Sequence, residues 1–313
     1  MLRLVLLVGM AALVALGVAP AAQAKKFTLG IGDQTTLMLD DPRFQALKLR
    51  HMRVVVPYDM MKDRVQFNRY APIFDQARDR RVRVLVAFNH SAKYHKRLPS
   101  VRQYKAAVRS FRARFPWVKE YTVWNEANHS TQPLERRPET AARYYNAIRS
   151  LCRGCKIVAA DVLDQRGFES WIRTFRRYAK APKYWGLHNY QDVNRTSDES
   201  IPRMKRATGN RGQIWLTETG GIVRLARSWE YDEKRAARAT RHVFRVAARN
   251  RVPRVYLYRW TGEPLGSRWD SGLIAWDGRA RPALNEVERY LRVPRTPLPP
   301  APKIPKFPKA STS

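Results

Sequence analysis

Two kinds of apolar segment alternate along most of the chain. Short runs rich in Val, Ile and Leu are followed by longer amphipathic segments. The short runs predict buried parallel strands, and the amphipathic segments predict the helices that cover them. The predicted strands are 26–34, 51–59, 81–90, 118–128, 156–163, 184–190, 212–219 and 254–261. The predicted helices are 42–49, 68–80, 101–115, 138–152, 168–179, 198–207, 231–250 and 282–293.

Eight strand–helix units predict an α/β fold, a (β/α)8 TIM barrel. Eight units in about 270 residues fit such a barrel in both number and length. An open doubly wound sheet is the competing architecture, but it seldom contains eight units, and a Gly-rich phosphate loop would follow its first strand. Gly30 and Gly32 lie inside or at the end of the first strand, so they are weak evidence for a nucleotide site.

The two ends of the chain differ from its alternating part and predict three regions. Residues 1–24 combine a basic Arg3, an apolar run and small residues up to Ala24, which predicts a secretory signal peptide, with an uncleaved N-terminal anchor as the alternative. Residues 25–293 form the predicted barrel domain. Residues 294–313 are rich in Pro and Lys without periodicity and predict a disordered tail. No later segment approaches the roughly 20 apolar residues of a transmembrane helix.

The chain is strongly basic, with 60 Lys and Arg residues against 26 Asp and Glu residues and a formal net charge of +34. Such a charge attracts anionic partners. Because Arg recurs in nearly every predicted helix, the pattern favours solvated helix faces over a specific nucleic-acid footprint. We therefore expect a secreted or cell-wall-associated protein whose basic surface and tail contact anionic cell-wall polymers, with no specific nucleic acid.

The cysteines, Cys152 and Cys155, are three positions apart at a predicted helix-to-strand turn. In an exported protein this spacing predicts a local disulfide. A CxxC redox site is the alternative, and it would require a thioredoxin-like context. Because the sequence offers no paired His or Cys nearby, no structural zinc site is expected.

Two predicted strands end in a glutamate. Glu126 closes the fourth strand within WNEAN, and Glu218 lies near the end of the seventh within LTETG. Catalytic residues of a (β/α)8 barrel cluster where strands meet the loops that follow them, so both carboxyls are expected at one rim. Enzymes that cleave glycosidic bonds usually use two facing carboxyl groups.

The sequence WNEAN resembles the Asn-Glu motif that closes the fourth strand in the clan A retaining glycoside hydrolases, a (β/α)8 superfamily with cellulase- and xylosidase-like members. The resemblance implies that Glu126 is the general acid/base and that Asn125 holds the sugar 2-hydroxyl. LTETG is similar to the strand-seven segment that carries the nucleophile, which implies that role for Glu218. HNY, which ends at Tyr190, resembles the strand-six motif whose Tyr donates to the nucleophile. One departure is Ala127, where Pro is frequent.

The remaining substrate-binding candidates lie at other strand ends. Trp260 is similar to the strand-eight Trp that forms the floor of the cleaved-sugar subsite, and Arg53 to the strand-two Arg that orients the nucleophile. Asn89 and His188 lie at the ends of the third and sixth strands, where they are expected to contact sugar hydroxyls, although a lone His is more often a core residue. Asp161 follows the fifth strand at the same rim.

The resemblance implies a glycoside hydrolase that cleaves β-linked poly- or oligosaccharides by a retaining double displacement, without metal or cofactor, and the predicted signal peptide implies that it is secreted. In this mechanism donors such as Tyr190 and Arg53 hold Glu218 ionised, and Glu126 protonates the leaving oxygen. A transglycosylase would use the same covalent intermediate. The alternative from another functional class is a cell-wall-associated carbohydrate-binding barrel with little or no turnover, which the basic charge and tail favour.

Overall fold

The structure, a computed structural model, describes residues 27–226 and 228–300. The predicted signal peptide and the tail from residue 301 onward lie outside these residues. The strands, in chain order, are β1 (Thr28–Gly32), β2 (His51–Pro57), β3 (Arg83–Asn89), β4 (Glu120–Thr122), β5 (Lys156–Leu163), β6 (Tyr184–His188), β7 (Gln213–Thr219), β8 (Arg224–Leu225), β9 (Arg254–Tyr258) and β10 (Trp269–Asp270).

All strands except β8 and β10 form a closed parallel barrel in which β9 pairs with both β7 and β1. In the closing pair, Thr28 lies opposite Arg254. β8 and β10 pair with each other as a small antiparallel sheet. The predicted (β/α)8 TIM barrel is therefore confirmed.

Helices cover the outer face of the barrel. In chain order they are α1 (Leu37–Asp40), α2 (Pro42–Ala46), α3 (Arg64–Asp79), α4 (Val101–Arg114), α5 (Pro138–Leu151), α6 (Phe168–Tyr178), α7 (Tyr190–Asn194), α8 (Ser200–Ala207), α9 (Glu233–Arg249) and α10 (Pro282–Leu291). α3 begins before the predicted residue 68 because the Asp63 carboxylate accepts the free backbone N–H groups of Val65 and Gln66. Along the described parts of the chain, no helix is long and apolar enough to cross a membrane.

The fourth strand differs most from its prediction. The strand predicted over 118–128 ends at Thr122, and the residues after it turn out of the ladder. Glu126 has a φ of 47°, a left-handed conformation that residues other than glycine seldom adopt and that is found preferentially at functional sites. The short strand and this turn together place the Glu126 carboxyl over the barrel mouth.

The upper barrel interior holds buried polar groups that require space. Gly186 on β6 provides it, because a Cβ at this position would lie 2.6 Å from Asp161 Oδ1 and 2.9 Å from Thr217 Oγ1. No side chain larger than hydrogen fits there without moving the Asp161 carboxylate. On the outside of the barrel, Cys152 and Cys155 form the predicted disulfide between α5 and β5.

Candidate active site

The two predicted glutamates meet at the carboxyl-terminal mouth of the barrel. One carboxylate oxygen of Glu126, one of Glu218 and a ring nitrogen of His188 all lie within 4.8 Å of one another. Both glutamates border a cleft of about 800 Å³. Other side chains that line it include Asn89, Asn125, Tyr190, Trp229, Tyr258 and Trp269.

Glu218 is fixed by two donors. Arg53 Nη1 donates to its Oε2 at 2.5 Å, and the Tyr190 hydroxyl donates to its Oε1 at 3.1 Å. Burial raises the pKa of the Glu218 carboxyl, and the charges of His188 and Arg53 oppose this rise. Arg53 therefore favours the ionised carboxylate, as expected, while burial opposes ionisation and is the largest influence.

His188 lies beneath the cleft rather than in it. Its side chain is fully buried, with Nδ1 3.2 Å from Glu126 Oε1 and Nε2 3.2 Å from Asp161 Oδ1. Burial alone would lower the pKa of His188, but the charges of Asp161 and Glu218 overcome that effect and raise the pKa to about 10. Because His188 is buried, the predicted contact with sugar hydroxyls is corrected: the ring lies between the carboxylates of Glu126 and Asp161, whose charges favour its protonated form.

Asp161 is the central residue that the sequence-based assignment left without a role. It lies where β5 has a register irregularity, with a φ of 79°. Its Oδ2 accepts from Arg53 Nη2 at 2.7 Å. Burial would raise the pKa of Asp161, but Arg53 and His188 together hold it below its usual range. The one sequence signal for this residue is a carboxylate within an otherwise apolar strand, where it needs charged partners.

Asn125 and Asn89 line the cleft as predicted, each with its carbonyl oxygen already engaged. Asn125 Oδ1 accepts from Arg53 Nη2 at 2.7 Å, and Asn89 Oδ1 accepts from the backbone N–H of His90 at 2.9 Å. These contacts orient the two amide groups at the cleft wall. Their N–H groups are the part that can donate to a ligand oxygen.

Trp260 does not line the cleft. It is 1% exposed, its indole N–H donates to Asp41 Oδ2 at 3.1 Å, and its ring packs edge-on against Phe44 at 5.6 Å between centroids. The predicted subsite floor is thus corrected: Trp260 packs against the segment around α2. At this side of the cleft the aromatic lining is Tyr258 with Trp269.

Comparison with known proteins gives the family. Residues 85–281, more than half of the chain, match the model of the glycosyl hydrolase catalytic core. The chain belongs to this family. It is therefore a glycosidase, in agreement with the sequence-based prediction. No curated protein sequence is significantly similar to it.

Solved structures with low sequence identity share the fold. A GH39 β-xylosidase from Caulobacter crescentus is 14% identical, with a TM-score of 0.61, over 85% of this chain and 71% of that one. A glucosidase from Croceicoccus marinus is 11% identical, with a TM-score of 0.63, over 84% and 65%. A β-1,3-glucanosyltransferase from Rhizomucor miehei is 13% identical, with a TM-score of 0.59, over 83% and 97%. This glycosidase thus spans about two thirds of the length of the first two.

The cluster of Glu126, His188 and Glu218 has a spacing that a metal ion could bridge. A metal-binding histidine must be neutral, with one ring nitrogen free to act as a ligand. His188 has its pKa raised to about 10 and faces carboxylates through both ring nitrogens. The donor set therefore fits an ion-paired network better than a metal site.

Replacing Asp161 by Asn removes the charge that compensates two buried cations, Arg53 and His188. We expect Asp161→Asn to lower the free energy of unfolding at pH 7 by about 3–5 kcal/mol, the usual cost of leaving buried charge unpaired. Since the pKa of His188 is raised from 6.5 to about 10, its protonation stabilises the fold fully below 6.5, and this contribution is lost as the pH rises through 10. The variant should show a shallower pH dependence across this window.

Urea unfolding at several pH values between 6 and 10 measures both effects. The matched control is Asp79→Asn, because the Asp79 side chain is 67% exposed. It should change stability by less than about 0.5 kcal/mol. Equal stability of Asp161→Asn and the wild type at pH 7, with parallel pH curves, would contradict the network described here.

Proposed function

We propose that this glycosidase hydrolyses β-linked O-glycosides with retention of anomeric configuration, with Glu218 as the nucleophile and Glu126 as the general acid/base. The observation that supports this most directly is the distance of at most 4.8 Å between carboxylate oxygens. Retaining enzymes have carboxyl groups about 5–5.5 Å apart, whereas inverting enzymes need about 6.5–9.5 Å to admit a water molecule. The separation favours direct attack on the sugar.

In the first step, a Glu218 oxygen forms a bond to the anomeric carbon while the bond from that carbon to the leaving oxygen breaks. Glu126 donates its proton to the leaving oxygen. Arg53 and Tyr190 hold the two Glu218 oxygens in place, so the carboxylate is oriented before the substrate arrives. The amides of Asn125 and Asn89 lie at the cleft wall, where they bind sugar hydroxyls.

In the second step, Glu126 takes a proton from water, and that water breaks the bond between Glu218 and the sugar. The difference in exposure between the two glutamates supports this division of roles. The Glu126 side chain is 22% exposed, against 9% for Glu218. The more accessible carboxylate can exchange protons with solvent between the steps, as a general acid/base must.

The stereochemical course tests this proposal. Purified protein is screened on aryl β-glycosides, including xyloside, glucoside and mannoside, and the product of the best substrate is followed by proton NMR from the first turnover. We expect the β-anomer to form first and the α-anomer to appear only through mutarotation. Initial release of the α-anomer would overturn the retaining mechanism, and absence of cleavage on all substrates and wall polysaccharides would favour a binding barrel.

The proposal includes export and association with the cell wall. Two observations support it: the signal-like composition of residues 1–24 and the disulfide between Cys152 and Cys155. Disulfides persist in oxidising compartments and are rare in cytosolic proteins. Fractionation of the source cells, with immunodetection of the chain in medium, envelope and cytosol, tests this part independently of activity.

A further inference from the structure

The end of the barrel opposite the catalytic mouth carries a second concave surface, which we term the basic groove. It consists of two adjoining cavities of about 860 and 220 Å³ that share Ala181, Lys183 and Tyr184. They lie where β5, β6 and β7 begin, at the amino-terminal ends of these strands. The cationic side chains that line the groove are Arg149, Arg153, Arg176, Lys183 and Arg211.

Within residues 27–226 and 228–300, these five cations have no carboxylate partners. All five are exposed. Among the described residues, none of them lies within ion-pair distance of an acidic side chain, and the lining of the groove contains no Asp or Glu. Neighbouring arginines behave differently: Arg203 pairs with Glu169 at 2.6 Å, and Arg249 pairs with Asp198. The groove therefore brings five exposed cations together in one concave surface whose lining contains no carboxylate.

The backbone that carries these cations is fixed. Arg153 lies inside the short loop that the Cys152–Cys155 disulfide closes. The carbonyl oxygen of Arg211 accepts the indole N–H of Trp185 at 2.9 Å, and the Arg149 guanidinium donates to the carbonyl oxygen of Lys180 and so ties the segment before β6 to α5. Because the main chain is held in this way, a ligand that binds these side chains orders their ends alone. Ligand binding at such a site therefore costs less conformational entropy than ligand binding to a flexible loop.

We propose that the basic groove binds an acidic polysaccharide whose carboxylates pair with these cations. The inference rests on the proposed function in taking carbohydrate as the partner class. Guanidinium groups bind carboxylates through paired hydrogen bonds, and a chain with repeated carboxylates contacts several cations in one groove. The position of the groove lets such a chain tether the enzyme while the catalytic mouth remains free.

The aromatic residues of the groove favour a glycan over single-stranded nucleic acid. Proteins that bind nucleic-acid strands stack bases on exposed rings. Here Trp185 and Tyr145 are buried, and the ring of Tyr184 packs against Trp215 with 4.9 Å between centroids. Of these three rings only that of Tyr184 is partly exposed, so recognition in the groove depends mainly on charge.

The experiment compares two triple variants that remove the same charge. The groove variant is Arg176→Ala, Lys183→Ala and Arg211→Ala. The matched control is Arg64→Ala, Arg102→Ala and Arg109→Ala, three exposed arginines on α3 and α4, at the other side of the barrel. Binding to polygalacturonate, to neutral dextran and to a single-stranded oligonucleotide is measured at low and high salt, and hydrolysis of a small aryl β-glycoside is measured in parallel.

We expect the groove variant to bind polygalacturonate on the order of tenfold or more weakly, because each exposed ion pair contributes up to about 1 kcal/mol. The control should bind nearly as well as the wild type, dextran should not bind, and aryl glycoside hydrolysis should be unchanged in both variants. Equal weakening of both variants, or oligonucleotide binding that depends on the groove as strongly as polygalacturonate binding, would overturn the proposal. If the wild type did not hydrolyse the aryl β-glycoside, that result would count against the catalytic assignment and not against the groove.

Discussion

Glu218→Gln is expected to lower kcat on an aryl β-glycoside by about 10⁴-fold or more, the scale on which enzymes lose activity without their nucleophile. The amide keeps the size of the carboxylate and cannot form the glycosyl ester. Arg53 retains its bond to Asp161 at 2.7 Å in this variant, so we expect the barrel to fold. Steady-state kinetics and thermal unfolding by circular dichroism measure the two effects separately.

The matched control for this substitution is Glu199→Gln, because Glu199 is an exposed glutamate outside the cleft. It should retain wild-type kinetics. Azide distinguishes the nucleophile from other essential groups: in Glu218→Ala, azide takes the place of the missing carboxylate and should give a glycosyl azide of inverted configuration. If the folded Glu218→Gln protein retained more than about a tenth of wild-type kcat, Glu218 would not be the nucleophile. A loss of less than about tenfold is far smaller than enzymes show when the nucleophile is removed.

Glu126→Gln is expected to reduce kcat/KM by about 10²–10⁴-fold on substrates with poor leaving groups, the usual contribution of a general acid/base. On a dinitrophenyl glycoside the loss in the first step should be much smaller, because this leaving group departs without a proton. The second step then becomes slow, so the glycosyl-enzyme should accumulate and appear as a burst. Kinetics across aryl glycosides of graded leaving-group pKa measure this dependence.

Azide again provides the control. In Glu126→Ala it should speed breakdown of the glycosyl-enzyme and give a glycosyl azide of retained configuration, the opposite of the product from Glu218→Ala. If Glu126→Gln lost the same factor on every leaving group, Glu126 would not be the residue that protonates the leaving oxygen. The two azide products together assign each carboxylate independently of the size of its kinetic effect.

The barrel could be predicted from the sequence because its strands are buried on both faces and its helices are amphipathic, which are local patterns. The same reasoning placed Glu126 and Glu218 at one rim, since parallel strands end at the same side. Arg53 and Tyr190 were also correctly placed beside Glu218.

Other features depend on contacts that no local pattern carries. The turn at Glu126 interrupts an apolar run that continues through residue 124, so the sequence predicts a strand where the backbone leaves the ladder. Trp260 comes at the end of an aromatic strand, where the sequence predicts a residue of the sugar subsite. In the structure its side chain instead contacts Asp41 and Phe44, outside the cleft. The position of the Asp161 carboxylate depends on the irregularity in β5 and on the space that Gly186 leaves for it. Gly186 lies two positions before His188 in β6.

The ion-pair network around His188 keeps the charge balance of the site constant during the proposed reaction. Before cleavage, the cations Arg53 and His188 are balanced by ionised Asp161 and Glu218, with the proton on Glu126. After the first step, Glu218 is an uncharged ester and Glu126 has become the anion, so the balance is the same. Negative charge therefore moves from one glutamate to the other within reach of a single imidazolium, and no counterion needs to enter or leave the mouth of the barrel during turnover.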